Sequence, residues 1–325
     1  METRPFGWCF IGTGTLATRV AEEIRETGRH RIVSTYSRNL EHNSGFAHRC
    51  GATPYISALD AITADGVDAV YVVTPHTAHF DAVKEALLFG KPVLCEKPMG
   101  VTAQQAEELF RLAAEKKLYL CEAMWTWFAP AANRVKEWVD AGRFGTIQSV
   151  YAGYHMNSKR YAPRVTDPML AGGALLDIGV YPIHYLIRLF GEPTKIVCKG
   201  TMAGGIDRGE EIDLTFANGV TARASASIDD FKGLERLAIR GSDASVSLWF
   251  FHRANSVRLK KGLKTLDRVN GYGGMANEFD LVAEEIQEGR TTSRFVPPEM
   301  TLATLRVADE CRRQLGLVYP FEKEN

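Results

Sequence analysis

Lys97 stands between Glu96 and Pro98, directly after the apolar run Val93-Leu94-Cys95. As a bare tripeptide, Glu-Lys-Pro is a solvated turn. At the carboxyl end of a core strand it would instead aim an ammonium at a ligand. Asp177 and Tyr181 are four residues apart, a spacing that sets two side chains on one helix face. Taking a hydride from a carbinol carbon needs a base for the hydroxyl proton, and the reverse reduction needs the matching acid. A free phenol holds its proton up to about pH 10, and a neighbouring ammonium favours the phenolate. Tyr181 is therefore the first candidate for the proton carrier and Lys97 the second, with Asp177 orienting Lys97 or a substrate hydroxyl. Pro182 follows Tyr181 at once. Either the helix kinks after Tyr181, or it begins there with Pro182 at its first position, and only a kinked helix keeps Asp177 and Tyr181 on one face.

A second group of residues points to the cofactor that would carry the hydride. Gly12-Thr13-Gly14-Thr15-Leu16-Ala17 has the G-x-G-x-x-A form, after an apolar run and before a helical pattern. Gly12 allows the tight turn, Gly14 lets a pyrophosphate approach the backbone, and the helix amino terminus offers N–H groups to phosphate. Sites selective for NAD carry Asp or Glu at the end of the next strand, to accept from the ribose 2′-hydroxyl. This chain has Ser37 and Arg38 there, and no acid between Glu26 and Glu41. A carboxylate would repel a 2′-phosphate, whereas a serine and an arginine can bind one. The expectation is NADP(H) in preference to NAD(H).

These residues need elements to position them. Over residues 1–123 short apolar runs alternate with helical patterns: GWCFIG, TLATRVAEEIRETG, RIVSTYSR, DAVYVVTP, HTAHFDAVKEALLFGK, PVLCEKP and LYLCEA. That alternation predicts an α/β domain with a Rossmann doubly wound parallel sheet. Over 124–325 strand-like runs dominate, with Asn218-Gly219 as a hairpin turn. This part reads as an α+β substrate-binding and oligomerisation domain with a large, mostly antiparallel open sheet. A sheet with helices on one face needs its other face covered, and self-association does so.

With that order of elements, the chain resembles the Gfo/Idh/MocA oxidoreductase family. GKPVLCEKP carries the family hallmark, TPHTAH matches the segment after its fourth strand, and GGALLDIGVYPIHYLI looks like its catalytic helix. EAMWTWFAP and DIGVY point to the subgroup of dimeric dihydrodiol dehydrogenases and NADP-linked D-xylose dehydrogenases. Many other members have His four positions after the helix Asp, and this chain has Tyr181. The resemblance implies catalytic or substrate-orienting roles for Lys97, Asp177 and Tyr181, and a cis bond before Pro98. It implies cofactor contacts from Thr74, Pro75, Glu96 and Lys97, and substrate contacts from Trp125 and Tyr154. His76 and His79 begin the next helix near where the nicotinamide ribose would lie, and read either as cofactor contacts or as packed or solvated helix-start histidines. His184, one turn past Tyr181, reaches substrate or is a satisfied core histidine, while Trp127 and Phe128 read as core. Residues 157–165, polar and basic, form a flap over the substrate or a plain surface loop.

Composition narrows the class. Hydrophobic residues make up 45% and charged residues 24%, and the formal net charge is zero. Nothing favours nucleic acid or an anionic membrane. Nowhere do about eighteen apolar residues run together, and the amino-terminal segment, acidic at Glu2 and interrupted at Gly12, does not read as a signal peptide. The six cysteines lie far apart with no Cys-x-x-Cys pair, which suits reduced thiols in the cytoplasm. No spacing suggests a metal site. The expected protein is a cytoplasmic, NADP-dependent oxidoreductase of a sugar, cyclic polyol or trans-dihydrodiol, a homodimer or higher oligomer through its second sheet. The alternatives are a ketosugar reductase and a non-catalytic dinucleotide-binding regulator.

Overall fold

The computed structural model describes residues 4–158, 163–271 and 273–323. The chain forms two compact units, the first from 1–100, 104–124 and 274–298, the second from 101–103, 125–273 and 299–325.

In the first unit, β1 (Phe6–Ile11), β2 (His30–Tyr36), β3 (Thr53–Tyr55), β4 (Ala69–Val72), β5 (Val93–Glu96) and β6 (Leu120–Ala123) pair in parallel. Their order, β3-β2-β1-β4-β5-β6, is that of a doubly wound dinucleotide fold, whose ligand crevice lies at the carboxyl ends of the strands where the order reverses. Every residue of β1, β4, β5 and β6 is buried. Helices cover both faces of such a sheet, which is why these strands read as continuous apolar runs rather than alternating ones. The helices are α1 (Thr15–Thr27), α2 (Leu40–Cys50), α3 (Ala58–Thr63), α4 (His79–Leu88) and α5 (Ala103–Lys116). α1 buries Ala17, Val20, Ala21 and Ile24 on one stripe and ends on Gly28 in the left-handed region, the usual glycine stop. α3 was not read from the sequence, since six residues are too few to show a period.

The second unit has one eight-stranded sheet, ordered β14-β13-β12-β11-β7-β10-β9-β8. Its strands are β7 (Ile147–Asn157), β8 (Pro193–Ala203), β9 (Ile206–Phe216), β10 (Thr221–Ser227), β11 (Asp229–Gly241), β12 (Ser245–Trp249), β13 (Ser256–Lys261) and β14 (Lys264–Asn270). All neighbours are antiparallel except β7 and β10. α6 (Pro130–Asp140) and α7 (Val180–Phe190) belong to this unit, and α7 continues a π-helical turn at Leu175–Gly179. Gly179 lies against Ala226 of β10, so the face bearing Ala222, Ala224 and Ala226 is the helix-covered one. By length and composition Pro168–Phe190 could cross a membrane, yet 94% of its most apolar window is buried inside the protein. It is the core helix of this unit.

The chain then returns to the first unit with α8 (Met275–Gln287), before α9 (Pro298–Leu315). The sequence division at 123 counted α8 with the second domain, and its contacts correct that. Phe279 packs edge-on against Trp8 at 4.7 Å and against Tyr71 at 4.9 Å. Asp280 accepts from Arg29 Nε at 2.7 Å and pairs with His30 Nε2 at 2.9 Å. Periodicity showed an amphipathic helix but held no record of which sheet its apolar face would cover.

Candidate active site

The candidate dinucleotide-binding residues of the first unit lie at the carboxyl ends of the parallel strands. Gly12 follows β1 with φ +108°, and a Cβ there would stand 2.5 Å from the carbonyl oxygen of Val73. Only glycine fits that conformation and that approach. Gly14 precedes α1 as its cap, with no side-chain bond to the first turn, and a Cβ on it would meet nothing within 4 Å. The open space and the uncapped N–H groups together make a cradle that a pyrophosphate fits. Thr15 and Leu16 open α1. Thr13 is buried, and its Oγ1 lies 3.1 Å from His42 Nδ1, a partner on α2 that no residue spacing marks.

At the end of β2, Ser37 Oγ donates to Asn39 O at 3.3 Å, and Asn39 caps α2 by accepting from His42 N at 2.9 Å. Arg38 is exposed and makes no hydrogen bond or ion pair among the described residues. Past β4, Thr74 and Pro75 lead into a turn containing His76, which is buried, and then His79, which is fully buried. His79 Nδ1 lies 2.7 Å from Pro98 O and Nε2 lies 2.8 Å from Thr74 O. The ring thus ties the segments after β4 and β5 together, so its nitrogens are occupied by main chain.

Lys97 is half-buried just past β5, and the Lys97–Pro98 peptide is cis, as the resemblance implied. Beneath this turn lies a buried acidic group. Glu96 accepts from Tyr71 OH at 2.6 Å, and Glu122 accepts from Met99 N at 2.9 Å. Glu278, from distant α8, is buried with them. Burial first, then the charges of Glu96 and Glu122, push its carboxyl well above the usual carboxylate range. Desolvation and like charge act in the same direction on an acid, both favouring its protonated form.

Asp177, Tyr181, Trp125, Tyr154 and His184, the other residues singled out in the sequence, belong to the second unit. The π-helical turn runs without a break into α7, so neither sequence alternative for Pro182 holds as stated. The widened turn sits directly before the proline, whose missing N–H and ring would otherwise disturb an α-helical ladder. The turn is fixed from below: Asp207, buried, accepts from Leu175 N at 2.6 Å, and buried Glu210 lies under Gly179. Burial, then Asp207, raise the Glu210 carboxyl well above its ordinary value. Asp177 is buried on this turn and accepts from Arg164 Nη1 at 2.9 Å. Arg164 lies in the polar 157–165 stretch, of which 159–162 fall outside the described residues.

Tyr181 is half-buried, and its hydroxyl oxygen accepts from Trp125 Nε1 at 3.2 Å. Tyr154, on β7, lies 5.8 Å from the Tyr181 ring. The sequence passed over the fourth member of the group, His252, in a short turn after β12. Its ring stacks on Tyr154 at 5.1 Å and 18°, and lies 5.4 Å from Tyr181 and 5.2 Å from Trp125. Glu235 on β11 is the register partner of Tyr154 and bonds His252 Nδ1. A His with no motif around it and a Glu inside a strand carry no sequence signal; only pairing across β7 and β11 brings them together.

His184 is not in that group. It is fully buried and accepts from Trp127 Nε1 at 2.8 Å. Burial, then Arg188, lower its pKa to about 3, so it is neutral. Trp127 and Phe128 are buried. Among the described residues no cluster of His, Cys, Asp or Glu is arranged to hold a metal.

Residues 6–123 match the model of an oxidoreductase family with an NAD-binding Rossmann fold, and 132–247 match the GFO/IDH/MocA C-terminal domain. The chain is 27% identical to the scyllo-inositol 2-dehydrogenase (NADP(+)) of Bacillus subtilis, over 97% of this chain and 99% of that one. It is 28% identical to the trans-1,2-dihydrobenzene-1,2-diol dehydrogenase of Macaca fascicularis, over 97% and 98%. Among solved structures it is similar to a 3-ketoreductase from Actinomadura kijaniata in complex with NADP and TDP-benzene. That likeness has a TM-score of 0.84 at 25% identity, covering 95% of this chain and 98% of the other.

Proposed function

The chain belongs to the Gfo/Idh/MocA oxidoreductase family, and from that premise we propose that it is an NADP-dependent dehydrogenase of ring-shaped vicinal alcohols. Cyclic polyols, sugars or trans-dihydrodiols are the substrate class. The observation that carries this reading is the phenol of Tyr181 within the Trp125–Tyr154–His252 aromatic group, its oxygen accepting the Trp125 N–H. Aromatic faces cover the apolar C–H side of a ring, and the phenol handles its hydroxyl. The names of similar proteins, an inositol dehydrogenase and a dihydrodiol dehydrogenase, agree with that chemistry.

Bound dinucleotide supplies the hydride acceptor. Gly12, Thr13, Gly14, Thr15 and Leu16 would hold its pyrophosphate, and Thr74, Pro75, His76 and Glu96 would border its nicotinamide end, with His79 tying the two strand ends. Ser37 and Arg38 would hold the 2′-phosphate; the unengaged Arg38 guanidinium and the lack of a carboxylate beside it support NADP over NAD. Tyr181 takes the hydroxyl proton as the carbinol is oxidised, since an N–H donated to the phenol oxygen stabilises negative charge there. Lys97 supplies a positive charge that favours the alkoxide-like state, and Asp177 with Arg164 keeps the turn before Tyr181 in shape. The likeness to a 3-ketoreductase favours a second reading, in which the same residues run the reaction as a ketosugar reduction.

The six cysteines are all free, which fits a cytoplasmic protein. The outer face of the eight-stranded sheet, exposed along most of β8, would pair two copies; light scattering at working concentration tests that.

The deciding experiment follows nicotinamide absorbance with NADP+ or NAD+ and a panel of inositols, aldoses and trans-dihydrodiols. Turnover with NADP+ on one ring class supports the proposal. Preference for NAD+ overturns the Arg38 argument alone. Turnover only of ketosugars with NADPH moves the assignment to the reductase.

A further inference from the structure

The group around Tyr181 contains a carboxylate–imidazole pair that hydride transfer does not require. Glu235 is nearly buried, at 7% exposure, and desolvating a carboxylate is costly unless it is hydrogen-bonded. Both of its donors come from one residue: the ring Nδ1 of His252, and the His252 main-chain N–H, which reaches Glu235 Oε1 at 3.0 Å. The carbonyl of His252 in turn accepts from Thr126 Oγ1 at 2.9 Å. Backbone and ring are therefore both held, which is more than packing a histidine on Tyr154 demands.

In the neutral ring, donation of Nδ1–H to the carboxylate selects the tautomer that leaves the lone pair on Nε2. Nε2 has no hydrogen-bond partner among the described residues and is not among their enclosed, unsatisfied atoms, so it is open to a ligand. Its ring lies 5.4 Å from that of Tyr181, close enough for the two to engage hydroxyls on neighbouring carbons.

The other histidine–carboxylate contact of this sheet does not compete. His155 bridges Asp230 at 3.1 Å and Ser225 Oγ at 2.9 Å, the connectivity of a nucleophilic triad. Ser225, however, sits in the middle of β10 between Gly153 and Glu211. Its neighbouring main-chain groups are spent on the ladders, so no N–H pair remains for an oxyanion.

We propose that Glu235 and His252 form a hydroxyl-binding subsite: His252 Nε2 accepts a hydrogen bond from the hydroxyl next to the one that Tyr181 deprotonates, and so selects vicinal diols over single alcohols. This rests on the dehydrogenase reading. A site built to pair with a hydroxyl discriminates strongly against the analogue that lacks it. His252→Phe keeps the stack on Tyr154 and removes Nε2. Glu235→Gln keeps an acceptor for Nδ1–H and weakens it.

The test compares trans-cyclohexane-1,2-diol with cyclohexanol on the NADP+-loaded protein, by rate and by the NMR shift of the His252 ring proton between its nitrogens. Wild type is expected to prefer the diol in kcat/KM, and the diol alone to move the His252 resonance. His252→Phe should lower that preference about tenfold or more, the worth of one good hydrogen bond, and Glu235→Gln should lower it less. Dinucleotide affinity should stay near wild type in both, while Tm should fall in His252→Phe, which leaves buried Glu235 with the main-chain N–H as its one remaining donor among the described residues. Undiminished diol preference in His252→Phe overturns the subsite and leaves the dehydrogenase reading standing. If neither alcohol is oxidised while the diol still shifts the resonance, the dehydrogenase reading falls and the Glu235–His252 pair stands only as a hydroxyl-binding site. Absence of both oxidation and shift overturns the subsite.

Discussion

The two units present their candidate site residues by different means. In the first, main chain does most of the work: a glycine turn, an uncapped helix start, and strand ends tied by His79 between Thr74 O and Pro98 O. In the second, side chains from five separate stretches converge, with Trp125, Tyr154, Tyr181, Glu235 and His252 meeting across β7, β11 and α7. Backbone sites need particular small residues at fixed spacing, so they leave motifs. Side-chain clusters need only the right fold under them, and they can be re-specified one residue at a time.

The contrast predicts separable failures. Tyr181→Phe should lower kcat most, by about 10²–10⁴-fold, the range of general acid–base catalysis, while NADP+ affinity measured by fluorescence titration stays unchanged. Loss of dinucleotide binding in that variant would contradict this separation. Gly12→Ala should do the reverse. A Cβ 2.5 Å from Val73 O at φ +108° should abolish tight dinucleotide binding and cost about 1–3 kcal/mol of stability, read from urea unfolding.

His184 tests whether a histidine one turn past Tyr181 belongs to the chemistry or to the core. Its folded-state pKa is held down to about 3 by burial and Arg188. The unfolded chain, titrating near 6.5, therefore takes up the proton first as pH falls. Stability should be full above about 6.5 and decline below it by about 1.4 kcal/mol per pH unit. His184→Gln, which can still accept from Trp127, should flatten that slope and leave the pH profile of turnover in place. Arg38→Ala should have a smaller effect, lowering the NADP+ over NAD+ preference about tenfold, as expected for one charge-assisted contact. Arg164→Ala should cost the least, about 1 kcal/mol, because Arg164 is 42% exposed while Asp177 is buried and solvent screens the pair. An activity loss much larger than the stability loss would assign Arg164 a direct role with substrate.

The Rossmann order was legible because burial on both faces writes itself as apolar runs, and Gly12, Gly14 and Lys97 were legible because their positions relative to strand ends are fixed. The hairpin at Asn218-Gly219 was readable for the same local reason, with Gly219 at φ +81°. α8 was readable as a helix but not as part of the first unit. The shape of the Asp177–Tyr181 segment was not legible either: Pro182 announced a disturbance, and the π-helical turn that absorbs it depends on Asp207 and Glu210 in β9.

Local chemistry therefore marked the dinucleotide turn, the strand-end lysine and the phenol as candidates, since each depends on residues adjacent in the chain. Tertiary structure alone decided that Asp177 pairs with Arg164, that His184 is core, and that Glu235 turns His252 toward Tyr181. Those outcomes depend on register between strands and on which face a helix covers. Both are set by long-range burial, which leaves no fixed spacing in the sequence.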